Sequence, residues 1–175
     1  MRDSSSPTPL LLEQRRQPDP GAPALALPLT AQERTSLRGR RQSTCGRDLL
    51  LQLPRGAALE PGELLAQAGS AAGPLVRVEA APEPLLQVSS ADPLALLQAA
   101  YHLGNRHVAM ELHADRLLLL DDSVLADLLR RRGLQVERLQ APFCPEPGAY
   151  AEPAHAHAHA HAHAHAHHHS HGHGH

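Results

Sequence analysis

Two segments of this chain mark both their own beginnings and their own ends, and together they fix the order of elements from Leu85 to Gln140. In ADPLALLQAAYHLGN, Asp92 stands as a helix N-cap, Pro93 takes the first helical position, and Gly104 falls where a left-handed C-terminal cap is expected. Leu94, Leu97 and Tyr101 recur on one helical face, which Leu96, Ala100 and Leu103 widen. In DDSVLADLLRRRG, Asp121 or Asp122 caps the start and Val124, Leu125, Leu128 and Leu129 make the apolar side. Arg130 to Arg132 then sit at the negative end of the helix dipole before Gly133 stops the helix. Around these helices LLQVSS, HVAMELH, RLLLL and LQVERLQ read as strands; HVAMELH alternates strictly, with Val108, Met110 and Leu112 on one face and His107, Glu111 and His113 on the other. The order strand, helix, strand, strand, helix, strand is that of the ferredoxin-like split βαβ unit, an α+β arrangement with two helices on one face of a four-stranded antiparallel sheet.

Upstream the texture changes. From Leu25 to Val78 short apolar bursts (LALPL, DLLLQL, PLVRV) alternate with Pro54, Gly56, Pro61, Gly62, Gly73 and Pro74, the pattern of a small β-rich domain. EAAPEP, holding Pro82 and Pro84, is the expected hinge. The opening MRDSSSPTPLLLEQRRQPDPGAP shows no sustained period and reads as a flexible extension. The expected organisation is therefore an extension over residues 1–23, a β-rich domain over 24–82, a ferredoxin-like domain over 83–150 and a disordered histidine-rich tail over 151–175.

Composition narrows the function. With one Phe, two Tyr and no Trp, the core must rest on branched aliphatic side chains, so modest stability and help from a dimer interface are expected. The net charge of −2 gives no reason to expect a nucleic-acid partner, and Arg38, Arg40 and Arg41 read as a solvated strand edge. Cys45 and Cys144 lie far apart outside any CxxC pair, which suggests neither a disulfide framework nor a thiolate zinc site. No signal segment opens the chain and no apolar run approaches the roughly 20 residues that span a bilayer, so a cytoplasmic location without membrane partners is the expectation.

Twelve of the fifteen histidines crowd into the tail: His155, His157, His159, His161, His163, His165, His167, His168, His169, His171, His173 and His175. Imidazole suits nickel, copper and zinc, and at ordinary coordination numbers the tail has room for roughly three to six ions. Its Ala, Gly and Ser spacers bury nothing, so fast, weak, multiple binding is expected, failing below about pH 6 as protons compete for the lone pairs. A purification tag is normally a plain homopolymer, whereas this run drifts from (AH) repeats into HHHSHGHGH. His102, His107 and His113 lie in the structured unit. Along one extended strand His107 stands roughly 13 Å from Glu111 and roughly 20 Å from His113, too far to share an ion; a two-fold axis, which places His107 twice around one point, would change that.

YHLGNRH from Tyr101 to His107, followed by strand, capped helix, closing strand, PFCPEPGAY and a histidine-rich end, resembles the UreE family of urease accessory nickel metallochaperones. Upstream, LLLQLPRGAALEPGELL is similar to the family's N-terminal β domain, and the resemblance runs from about Leu25 to His175. It implies a homodimer joined through the ferredoxin-like domains, with the two copies of His107 holding nickel at the interface. Asn105 and Arg106 would support that loop, and tail histidines, His155 nearest, would complete the coordination. It further implies docking on the GTPase accessory protein UreG and delivery toward the apo-urease assembly complex, with the N-terminal domain as a docking surface. Where some members carry an HxH pair before the second helix, this chain has Asp121 and Ser123; His102 matches the family's Tyr-His pair.

The expectation is thus a nickel carrier that performs no bond-making chemistry. The alternative is a nickel or zinc storage or detoxification protein in which the tail is the whole function; a metal-dependent enzyme built on Glu111 and His113 is a third reading. Flexible imidazoles also accept zinc and bind copper more tightly than nickel.

Overall fold

A computed structural model of the 175-residue chain describes residues 8–70 and 73–147. The histidine tail and residues 1–7 lie outside the described residues. In chain order the elements are β1 (Leu10–Leu12), β2 (Gln14–Arg16), β3 (Ala24–Leu29), the single-turn helix α1 (Ala31–Arg34), β4 (Arg38–Gln42), β5 (Asp48–Gln52), β6 (Leu64–Ala66), β7 (Leu75–Ala80), β8 (Pro82–Ser89), α2 (Pro93–Gly104), β9 (Glu111–Leu112), β10 (Arg116–Leu120), α3 (Ser123–Arg131) and β11 (Gln135–Pro142). The architecture is mixed, with mostly strands and few helices.

The first half forms a three-stranded sheet in the order β1-β5-β4 and a four-stranded sheet in the order β2-β6-β7-β3. Leu12, Leu27, Leu29, Leu49, Leu51 and Val76 meet in its core, which contains no aromatic ring. As the arginine spacing suggests, β4 is an edge strand, paired only with β5, and its alternate residues Arg38 and Arg40 are exposed. The reading of residues 1–23 as a flexible extension does not hold from Leu10 onward. Leu10 and Leu12 are buried and β1 runs parallel to β5, while β2 pairs antiparallel with β6. A three-residue strand is too short to show a period, and its pairing partner lies some forty positions away, so nothing local marks it.

The second half is a four-stranded antiparallel sheet in the order β11-β8-β10-β9, with α2 and α3 packed on it. Alternation along β8 and β10 sends Leu86, Val88, Leu117 and Leu119 toward Leu96, Ala99, Leu103, Ala126 and Leu129 of the helices. Leu85 and Leu118 turn to the other face, where the chain's one phenylalanine, Phe143, covers them together with Ala31. Both faces of these strands are buried, which is why RLLLL carries consecutive leucines where a half-solvated strand would alternate.

Pro82 is not a hinge. It opens β8 opposite Pro142 of β11, and the next residue, Glu83, is buried and accepts a hydrogen bond from the Ala31 amide at 2.6 Å. Arg34, 5% exposed, donates to the carbonyls of Leu29 (3.2 Å) and Phe143 (2.7 Å). These two buried charged side chains tie the first half of the chain to the second. Arg34→Met keeps the aliphatic stem but orphans the Phe143 carbonyl, so a loss of about 2 to 3 kcal/mol is expected, read as a lowered urea midpoint.

Candidate metal site

The two long helices start and stop by the same chemistry. Asp92 caps α2 by accepting from the Leu94 amide, and Asp122, not Asp121, caps α3 by accepting from the amides of Val124 and Leu125. At the far end of α3, Gly133 (φ 82) donates to the Arg130 carbonyl while Leu134 donates to that of Leu129. This is the paired closure in which a left-handed residue turns the chain out of the helix and satisfies two of its last carbonyls. At the end of α2 the same pair recurs: His107 donates to the Gly104 carbonyl at 2.9 Å and Val108 to that of Leu103 at 3.1 Å.

The left-handed residue in this second closure is therefore His107, whose φ of 56° is the one positive value among described residues other than glycine. Gly104, expected in that role, is the last residue of the helix, and Asn105 and Arg106 continue the turn through their amides. The expected strand from His107 shrinks to Glu111–Leu112, because the closure takes His107 out of extended geometry and turns the Val108 amide back to the helix. Val108 and Met110 still pack partly against the helix-side core, whereas Leu112, expected beside them, is 47% exposed. The outcome is an imidazole carried on an exposed turn with its backbone fixed by two hydrogen bonds.

The other candidates are scattered. His102 is half-buried in the last turn of α2, edge-on to the Tyr101 ring at 5.5 Å, in the crevice between α2 and α3. Asp121 is paired with Arg138 (3.0 Å), and Ser123 is the first residue of α3, so no ligand pair stands before that helix. His113 bonds Glu111, Nε2 to Oε1 at 2.9 Å, and the second Glu111 oxygen accepts from the Cys144 amide at 2.8 Å. Burial, helped by the carboxylates of Glu111, Glu60 and Glu83 and opposed by Arg34, pushes the Cys144 thiol up, which disfavours the thiolate. Cys45 and Cys144 are both free thiols. Among the described residues no three His, Cys, Asp or Glu side chains converge to hold an ion. His155 and the eleven histidines after it lie outside those residues.

One feature of α2 was only half legible in the sequence. Its buried stripe is Leu96, Ala99 and Leu103, and Leu94, Leu97 and Tyr101 point away from the sheet, 59%, 68% and 68% exposed. Val124, expected to be buried on α3, is likewise exposed at 72%. The helix that delivers His107 thus carries three large exposed side chains. Among the described residues no helix is long and apolar enough to cross a membrane.

Residues 10–81 match the N-terminal domain, and residues 83–175 the C-terminal domain, of the UreE urease accessory protein family. The chain is 56% identical over 146 residues to the urease accessory protein UreE of Parasynechococcus marenigrum (strain WH8102), covering 83% of this chain and 96% of that protein. It is 55% identical over 145 residues to the UreE of Synechococcus sp. (strain CC9311), covering 83% and 92%. A third relative, the UreE of Thermosynechococcus vestitus, is 49% identical over 144 residues, covering 82% of this chain and 92% of its own. The chain belongs to the UreE family of urease accessory proteins.

Proposed function

We propose that this chain is a cytoplasmic nickel metallochaperone for urease assembly. In this reading it is a homodimer joined through the ferredoxin-like unit of residues 83–150, with the two copies of His107 holding nickel across the dimer axis. The histidines of residues 151–175 collect the ion and complete its coordination, His155 first. The loaded dimer then passes nickel by ligand exchange to the GTPase accessory protein UreG and on to apo-urease. No bond is made or broken, so the chain needs only ligands that bind and release. Zinc and copper compete for the same imidazoles.

The observation that carries this reading is His107 itself. A left-handed helix closure is cheapest with glycine, as α3 has, and an L side chain there costs about 1 kcal/mol or more. Strain of this kind at an exposed residue points to a task for the side chain. Exposed Leu94, Leu97 and Tyr101 on the preceding helix supply an apolar surface for the partner subunit.

Truncation after Tyr150 separates the carrier from the storage protein. The truncated chain is expected to remain dimeric and to hold at the axis about half an equivalent of nickel per chain, that share being lost on His107→Ala. If truncation abolishes all nickel binding and His107→Ala changes nothing, the tail is the whole function and storage is the correct reading.

A further inference from the structure

His113 has no part in the function just described, yet it is the most organised histidine among the described residues. It sits on the same side of the short β9 ladder as Glu111, and its amide donates to Arg116 at 3.0 Å, closing the turn into β10. Its Nε2 lies 2.9 Å from Glu111 Oε1, with side chains 31% and 22% exposed, so both atoms are reachable but neither is free to wander. The other Glu111 oxygen is fixed by the Cys144 amide.

We propose that His113 and Glu111 form a second metal site, a two-ligand seat for a borderline divalent ion on the body of the protomer. Two ligands about 2.1 Å from one ion at a right angle lie about 3.0 Å apart, against about 3.4 Å at the tetrahedral angle. The 2.9 Å between them is the length of a hydrogen bond, and an ion such as nickel that displaced its proton could take both atoms as neighbouring ligands with little movement. The Cys144 amide plays the outer-shell part that orients a ligating carboxylate. Arg116, the nearest cation along the strand, is paired with Asp115 at 3.1 Å and so is partly neutralised.

Placement gives the seat its use. The Glu146 amide donates to the Met110 carbonyl at 2.7 Å and the Cys144 amide to Glu111, so the segment leading to the tail passes directly along the seat. His155 is nine residues beyond Glu146, a contour of at most about 32 Å, which brings the first tail imidazoles within reach of it. Remaining coordination positions fall to water or to those imidazoles. The seat's residues are four and six positions from His107 in sequence, and an ion arriving along the chain meets it as a station before the dimer axis. The inference rests on the metallochaperone reading only for the statement that the tail carries divalent metal.

The test uses the full chain with histidine rings labelled at Cε1, titrated with nickel chloride and followed by NMR. It is run in the His107→Ala background so that no ion at the axis can disturb His113. The His113 resonance is expected to be lost by paramagnetic broadening or shifted far outside the diamagnetic range. Glu111→Gln keeps an acceptor for the Cys144 amide but removes the charge, and should raise the nickel concentration that half-affects His113 at least tenfold. A His113 signal that persists when the tail signals have gone, or a response identical in Glu111→Gln, overturns the seat. Neither result bears on His107, whose own signal, followed in the unsubstituted chain, tests the axis separately.

Discussion

Replacing His107 by glycine is expected to make the protein more stable and less able to hold nickel at the proposed dimer axis. The residue closes α2 with φ 56°, a conformation in which Cβ crowds the neighbouring carbonyl. Glycine removes that crowding but gives the unfolded chain more freedom, so the net gain is about 0.5 to 1 kcal/mol. Alanine keeps the crowding and is expected to gain nothing. Both variants lose the imidazole, twice over in a symmetric dimer, and nickel affinity at that site should fall at least about a hundredfold, roughly 2.8 kcal/mol. Urea unfolding of the three proteins beside nickel titration of their tail-less forms checks both halves. Glycine no more stable than alanine would remove the argument from strain; nickel binding unchanged in either would remove the site.

How much of this was readable in the sequence depends on how local each signal is. The starts of both helices were legible because Asp92 and Asp122 accept from amides two or three residues away and Pro93 presets the first helical φ. The end of α3 was legible for the same reason, through Gly133. The end of α2 misled because Gly104 and His107 compete for one role, and only backbone geometry shows that the closure skips the glycine. His107 was found by motif and its conformation was not. Along α2 the leucines and alanines occupy two opposite faces, so periodicity identifies a helix without choosing which side meets the sheet. What escaped altogether was non-local: β1 against β5, and Arg34 and Glu83 reaching across to Phe143 and Ala31. A charged side chain in isolation reads as surface, and only the carbonyl or amide it meets reverses that.

Leu97→Glu is expected to dissociate the proposed dimer while leaving the single chain folded. Leu97 is 68% exposed in the single chain, between Leu94 and Tyr101 on the face of α2 turned from the sheet, so a carboxylate there costs the isolated fold no more than about 0.5 kcal/mol. In a two-fold interface the same residue occurs twice. Burial of Leu94, Leu97 and Tyr101 from each subunit is worth about 1.5 to 3 kcal/mol per fully covered side chain, and the substitution replaces two of them with like charges taken out of water. The dimer dissociation constant should rise at least about a hundredfold, visible by sedimentation equilibrium, with the urea midpoint of the monomeric variant little altered. The consequence for metal is the sharper outcome. His107 remains intact in this variant, at the end of the same helix, yet the tail-less protein should lose the nickel held at His107 because one imidazole on a turn cannot hold the ion alone. A monomer that still binds nickel at His107, read as binding lost on the further change His107→Ala, would mean that His107 works without its symmetry mate, and an undisturbed dimer would mean that this face of α2 meets another partner.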